Sequence, residues 1–140
     1  KETHRSYNMP ESMNAHWSGG GSEGDILKRM GQIKKSAERV VFFEERLITP
    51  DTFVFTFNTN ANTVYWGSDK PDVMHGDGAN YGFADGHAEY HKWECRSTIE
   101  LAKCGSGGVA CKPYDTYRTA CKDNVDARWV HNAVWGVQPR

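Results

Sequence analysis

Polar and apolar positions alternate in several distinct ways along this chain, and each pattern predicts a different element. Val40-Val41-Phe42-Phe43 is a run of four apolar residues closed by Glu44-Glu45. It predicts a strand buried on both faces or lying at the centre of a sheet. Pro50-Asp51 marks a turn, and Thr52 to Phe57 then alternates, with Phe53, Phe55 and Phe57 on one face and Thr52, Val54 and Thr56 on the other. Asn58 to Thr63 reads as a turn into a short strand, Val64-Tyr65-Trp66. Helical spacing occurs at Ile26, Met30 and Ile33, behind a capping Asp25, and predicts a short helix over 25–35 that Gly31 weakens. Ser97-Thr98-Ile99-Glu100 has the form of a capping box and predicts a helix reaching Lys103. A last helix, capped by Asp123 or Asn124, runs through Val134 with Val125, Trp129 and Ala133 on one stripe and Gly136 as its stop.

Between these elements lies the stretch HGDGANYGFADGHAEYHKW, His75 to Trp93. Asp85-Gly86 at its centre predicts a two-residue type I′ hairpin turn. That turn sets Ala84 opposite His87, Phe83 opposite Ala88, Gly82 opposite Glu89 and Tyr81 opposite Tyr90. Tyr81, Phe83, Ala88 and Tyr90 then form the core face. Asn80, Gly82, His87, Glu89, His91 and Trp93 fall on the other.

Composition narrows the class. With 140 residues the chain is one domain's worth, from 1 to 140: a polar, loop-rich part over 1–24, a sheet core over 25–93 and a cysteine-rich part over 94–140. A net charge of −1 provides no basic field for nucleic acid or an anionic membrane. Mean hydropathy is low at −0.72, yet 12% aromatic residues, five of them tryptophan, argue for a small core built on aromatics. Cys95, Cys104, Cys111 and Cys121 show no CxxC spacing. An even number in a loop-rich tail favours two disulfides and an oxidising compartment, and four cysteines allow three pairings, among them the neighbouring and the nested ones. The fold expected is α+β: an antiparallel sheet of about four strands, short helices and a disulfide-stapled C-terminal region.

His75, nine intervening residues and Asp85-Gly86 resemble the H-X9-DG signature of prepilin-type, processing-associated proteins, which are similar to type II secretion pseudopilins and type IV pilin-like subunits. Gln32-Ile33-Lys34, Val40 to Glu45, His75 to Asn80, Phe83 to His87 and Trp93 resemble the family's surroundings of that signature, and 5–9 (Arg-Ser-Tyr-Asn-Met) looks like the strand that opens its variable head. The likeness spans roughly residues 5–95, and the cysteine-rich tail is less typical. It implies a non-enzymatic structural subunit of an extracellular filament or secretion pseudopilus, assembled with copies of itself, exposed at the cell surface and facing the periplasm before assembly. Such proteins begin with an apolar helix of roughly 20–25 residues, enough to span a bilayer. No such segment occurs in this sequence, which leads us to expect that it was cut away, removed by processing or supplied by a separate short chain; contact with membrane would be through that helix alone.

The resemblance makes His75, Asp85 and Gly86 the structural motif, with His75 reaching across to cap the hairpin or its loop. A metal is the sharper alternative. His87 and His91, with Glu89 between them, share a strand face and suit Zn2+. The related major pseudopilins hold Ca2+ in a C-terminal loop, and Asp69, Asp72 and Asp77 precede the hairpin as oxygen donors. The metal candidates are thus Asp69, Asp72, His75, Asp77, His87 and His91. Catalysis has less to stand on: Glu44 and Glu45 are adjacent on a strand and point to opposite faces, and no nucleophile elbow is present. A rival from another class is a secreted carbohydrate- or surface-binding module in which Trp17 and Trp66 stack on sugar.

Overall fold

A computed structural model describes residues 7–13, 27–45, 55–58, 63–66, 69–104 and 119–136. Strands β1 (Tyr7–Asn8), β2 (Val40–Glu44), β5 (Gly78–Phe83) and β6 (Ala88–Lys92) make an antiparallel sheet in the order β1-β2-β5-β6. β3 (Phe55–Asn58) and β4 (Thr63–Trp66) pair separately as an antiparallel ribbon, with Phe55 opposite Trp66 and Asn58 opposite Thr63. The helices are α1 (Arg96–Lys103) and α2 (Val125–Trp135). The α+β class, the four-stranded antiparallel sheet and the short helices are therefore present. The expected Phe53, its neighbours from Thr52, and Trp17 lie outside the described residues.

β2 does occupy an inner position, but it is not buried on both faces. The register slips between Val40 and Phe42, so Val41 is the extra residue of a bulge. The bulge lets Val40 and Phe43 both point into the core, while Phe42 stays half exposed on the far side. Four apolar residues in a row thus serve one and a half faces.

The last helix forms as its ends dictate. Asn124 accepts from the Ala127 N–H at 2.8 Å, and Gly136 closes the C-terminus in the left-handed region, at φ 69°. Its buried stripe differs in part from the expected one: Ala133 is buried as expected, together with Ala127, Val130 and Val134, but Val125 is half exposed and Trp129 is only partly covered. Asp123 fixes where α2 begins, because its N–H donates to the Val64 carbonyl while its Oδ1 accepts from the Val64 N–H. α1 also forms, but Cys95 rather than Ser97 is its N-cap, and no side chain caps it. Ser97 sits inside the first turn and its hydroxyl goes to the Ala120 carbonyl.

The helix expected over 25–35 is absent from its described part. Met30–Gln32 is a single 3-10 turn, with the Gln32 Oε1 accepting from the Lys28 and Arg29 N–H groups. Gly31 at its centre lowers helical propensity, and Met30 is 76% exposed, so no packed face compensates.

The core lies between the inner face of the four-stranded sheet, with Val40, Phe43, Ala79, Tyr81 and Phe83, and the stripe of α2. Trp66 of the ribbon meets Trp93 edge to face at 5.8 Å and joins the two sheets. Ser12 adds a buried tie, donating to the Val134 carbonyl at 2.6 Å.

Candidate functional site

The hairpin that carries the motif turns one residue away from the expected register. Gly82 faces Ala88, Tyr81 faces Glu89, Asn80 faces Tyr90 and Ala79 faces His91. A type I′ turn needs φ > 0 at both central residues, and here only Gly86 has it, at 96°. Asp85 instead accepts from the His87 N–H and pairs with the His87 ring Nδ1 at 2.5 Å. The loop is therefore three residues, Ala84-Asp85-Gly86, closed by Phe83 N–H to the His87 carbonyl at 2.9 Å and Gly86 N–H to the Phe83 carbonyl at 3.0 Å.

A slip of one residue exchanges the faces of a strand. Tyr81 and Phe83 stay in the core as expected, but they share it with His91 and Trp93, whereas Tyr90 turns outward and is 42% exposed. His91 stacks on Trp129 with ring centres 3.7 Å apart, and meets Trp93 and Tyr81 edge-on. Its Nε2 is covered and has no hydrogen-bond partner among the described residues. Burial pulls the His91 pKa down, with Asp126, Glu89 and Glu94 working in the opposite direction. Burial also raises the Tyr81 hydroxyl well above the phenol range, followed by the charges of Asp126, Asp72 and Glu44.

His75 does not cap the hairpin turn. Its Nε2 reaches Glu44 Oε1 on β2 at 2.9 Å. Glu44 is almost fully buried and is the acceptor on which this region converges. It takes the Asn80 N–H at 2.8 Å, the Asn80 side-chain amide at 3.1 and 3.2 Å, and the Tyr7 hydroxyl at 3.2 Å. The same carboxylate raises the Tyr7 pKa, chiefly through its charge. Strands β1, β2 and β5 and the segment before the hairpin are thereby joined through one side chain. Glu45 goes elsewhere, accepting from the Asn8 amide at 2.8 Å, so the two glutamates form no acid/base pair.

The glycines leading into β5 and at its first position have equally local reasons. Gly76 and Asp77 both adopt positive φ, 76° and 56°, and this carries the chain from His75 into the strand. Tyr90 folds back over Gly78 and donates to the Gly76 carbonyl at 2.5 Å, and a Cβ on Gly78 would collide with the Tyr90 ring and the His91 carbonyl. Asp77 pairs with Lys103 at 3.1 Å, and its carbonyl accepts from the Trp93 N–H.

The metal candidates are consequently spread over separate tasks. Asp69 is buried. Asp72 Oδ1 accepts from the Val73 and Met74 N–H groups, its carbonyl takes the Trp93 indole N–H at 2.7 Å, and its buried Oδ2 has no partner among the described residues. His75 meets Glu44, Asp77 meets Lys103, His87 lies flat on Phe83 with 4.3 Å between ring centres, and His91 is held among aromatics. His87, Glu89 and His91 do share a strand face, yet among the described residues no three His, Cys, Asp or Glu side chains gather as a metal-holding group. Trp66 is buried, which removes it as a sugar-stacking surface.

One cleft, of about 290 Å³, opens between the sheet and α2; Phe83, Glu89, Trp129, Asn132 and Ala133 line it together with Ala37 and Glu38. Its lining is aromatic and acidic, and it carries no nucleophile with an adjoining base. Behind it, Asp126 in the first turn of α2 accepts the Glu94 and Cys95 N–H groups at 3.0 Å each. An acidic residue just inside a predicted helix start was the readable signal for that contact. The hub at Glu44 had a weaker one, a carboxylate ending an apolar strand.

Of the described cysteines, Cys95 and Cys121 are free thiols and Cys104 is not; Cys111 lies outside the described residues. The expected pair of disulfides is thus not formed at Cys95 and Cys121 in this structure. No helix among the described residues is long and apolar enough to cross a membrane. No protein family model, curated protein or solved structure matches the chain.

Proposed function

We propose that this chain is the globular head of a pilin- or pseudopilin-like subunit, structural rather than enzymatic, in an extracellular filament or secretion pseudopilus. The observation that carries the reading is how the sheet presents its two faces. The inner face is filled by α2. The outer face carries Tyr7 on β1, Phe42 on β2 and Tyr90 on β6, which are 55%, 50% and 42% exposed. Half-exposed aromatics distributed over one sheet face suit a contact surface between subunits. The resemblance of the His75–Trp93 stretch to the H-X9-DG family supports the same reading, since its side chains serve the frame of the head. A disulfide staple in the cysteine-rich part would keep such a small domain folded at the cell surface.

The test is to tag the domain in the full gene product, expressed in its native host, and to examine sheared surface filaments by immunogold electron microscopy. Label along filaments, lost in a Phe42→Glu variant that still folds, supports the proposal. A tagged protein found wholly as free monomer outside the filament fraction overturns it.

A further inference from the structure

We propose that Cys95 and Cys121 close into a disulfide that ties the start of α1 to the turn before α2, which selects the nested arrangement among the three pairings. The proposal stands on local geometry and does not rest on the filament reading. Cys95 is the N-cap of α1, three positions before Thr98 and on the same side of the first turn. Cys121 is fully buried against that turn. Its thiol is hydrogen-bonded with the hydroxyls of Ser97 and Thr98, and Cys95 is near enough to act on it electrostatically.

Other contacts hold the two segments together independently of the sulfurs. Ser97 donates to the Ala120 carbonyl at 3.4 Å, and the Asn124 side chain donates to the Thr98 hydroxyl at 2.9 Å. Asp126 fixes the Cys95 backbone itself through its N–H at 3.0 Å. The sulfurs are thus carried on a frame that already places residue 121 beside residues 97 and 98. The two cysteines also differ in access. Cys95 is half-buried, so an oxidant reaches it first, while the Cys121 thiol is raised by burial and is shielded until a partner sulfur is adjacent.

The chemistry is thiol–disulfide exchange with a small-molecule or protein disulfide as oxidant. The Cys95 thiolate attacks one sulfur of that disulfide, forming a mixed disulfide and expelling one thiolate. Cys121, on losing its proton, attacks the Cys95 sulfur, forms the intramolecular bond and expels the second thiolate. Two protons leave the protein, its two sulfurs are oxidised, and the oxidant's disulfide is reduced to two thiols.

The wild-type protein, purified under reducing conditions, is exposed to excess oxidised glutathione, alkylated, digested without reduction and mapped by mass spectrometry. A peptide joining Cys95 to Cys121 is the expected product, accompanied by a rise of about 5–10 °C in the unfolding midpoint over the reduced protein. Cys95 or Cys121 recovered in a bond to Cys104 or Cys111 overturns the pairing. Both recovered alkylated after oxidation also overturns it. A Cys95→Ala variant keeps the test independent of a folding defect elsewhere: it must lose the linked peptide and show a smaller oxidant-induced rise than the wild type, keeping only what the bond at Cys104 returns, while matching the reduced wild type in midpoint under reducing conditions.

Discussion

Replacing Glu44 by alanine should be among the most costly single changes on the outer side of the sheet. The carboxylate is almost fully buried and accepts from Asn80 twice, from Tyr7 and from His75. Removing it leaves the Asn80 N–H, inside the sheet, without its acceptor, a loss of about 1–3 kcal/mol. The bonds from Tyr7 and His75 are more easily replaced by water, because both residues are half exposed, and each contributes about 0.5–1.5 kcal/mol. Allowing for non-additivity within one network, Glu44→Ala should cost about 3–4 kcal/mol. His75→Ala should cost only about 1 kcal/mol, since it removes one bond from a residue that water can reach. The two changes share that bond, so His75→Ala should cost almost nothing in the Glu44→Ala background. Urea unfolding of the four proteins measures this, provided the slope with denaturant stays constant. If His75→Ala costs as much as Glu44→Ala, or if the two effects simply add, then His75 does not act through Glu44 and the structural account of the motif's first residue is wrong.

Gly78→Ala should destabilise the protein by about 1–3 kcal/mol, because the new methyl meets the His91 carbonyl and the Tyr90 ring rather than open space; thermal unfolding alongside Gly31→Ala, where the added Cβ meets nothing, gives the comparison. His91 should make the fold acid-sensitive. Its folded pKa lies below the unfolded value of about 6.5, so its contribution is complete above that pH and is lost as pH falls towards the folded value, where the unfolded chain binds the extra proton. His91→Phe keeps a ring against Trp129 and should flatten the change in unfolding midpoint between about pH 7 and pH 5; an unchanged profile would refute this role. Asp126→Ala should cost about 2–3 kcal/mol in chemical unfolding, since the Glu94 and Cys95 N–H groups lose their acceptor together. Ca2+ or Zn2+ in excess should leave the unfolding midpoint of the wild type unchanged, because its candidate ligands serve different partners; a saturable rise would refute that.

How much of this was legible in the sequence turns on one hinge. Element types were readable wherever local chemistry decided them: Asn124 and Gly136 bracket the last helix, the apolar run makes an inner strand, and Asp85-Gly86 marks a reversal of the chain. What local chemistry left undetermined was the length of that reversal. Asp-Gly fits a two-residue turn, in which Asp85 would take positive φ, and also a three-residue loop, in which only Gly86 does. The second prevails here, and it is the one in which Asp85 keeps its side chain for His87. From that single step the faces of the second strand invert. Tyr90 leaves the core to cover Gly78, and His91 and Trp93 enter it beside Trp129.

The candidate site was misread for the same reason. In the expected register His87, Glu89 and His91 stood on the outer face as free ligands; in the observed one they share the face of Tyr81 and Phe83, and both imidazoles stack on aromatics, His87 on Phe83 and His91 on Trp129. Nor can a one-strand pattern show that a glutamate ending β2 will accept from a strand, a neighbouring strand and a loop at once, because the partners Tyr7, His75 and Asn80 lie 37, 31 and 36 positions away. The spacing between His75 and Asp85-Gly86 acquires a physical meaning from these contacts. Ten positions from His75 to Asp85 are what the chain needs to leave Glu44, pass through Gly76 and Asp77 at positive φ, run the length of β5 and turn at Gly86. Shortening that interval by one residue would either pull His75 off Glu44 or shift β5 against β2 and expose Tyr81. The interval in this chain is thus a measure of strand length between two anchors, and it requires no shared ligand to hold it.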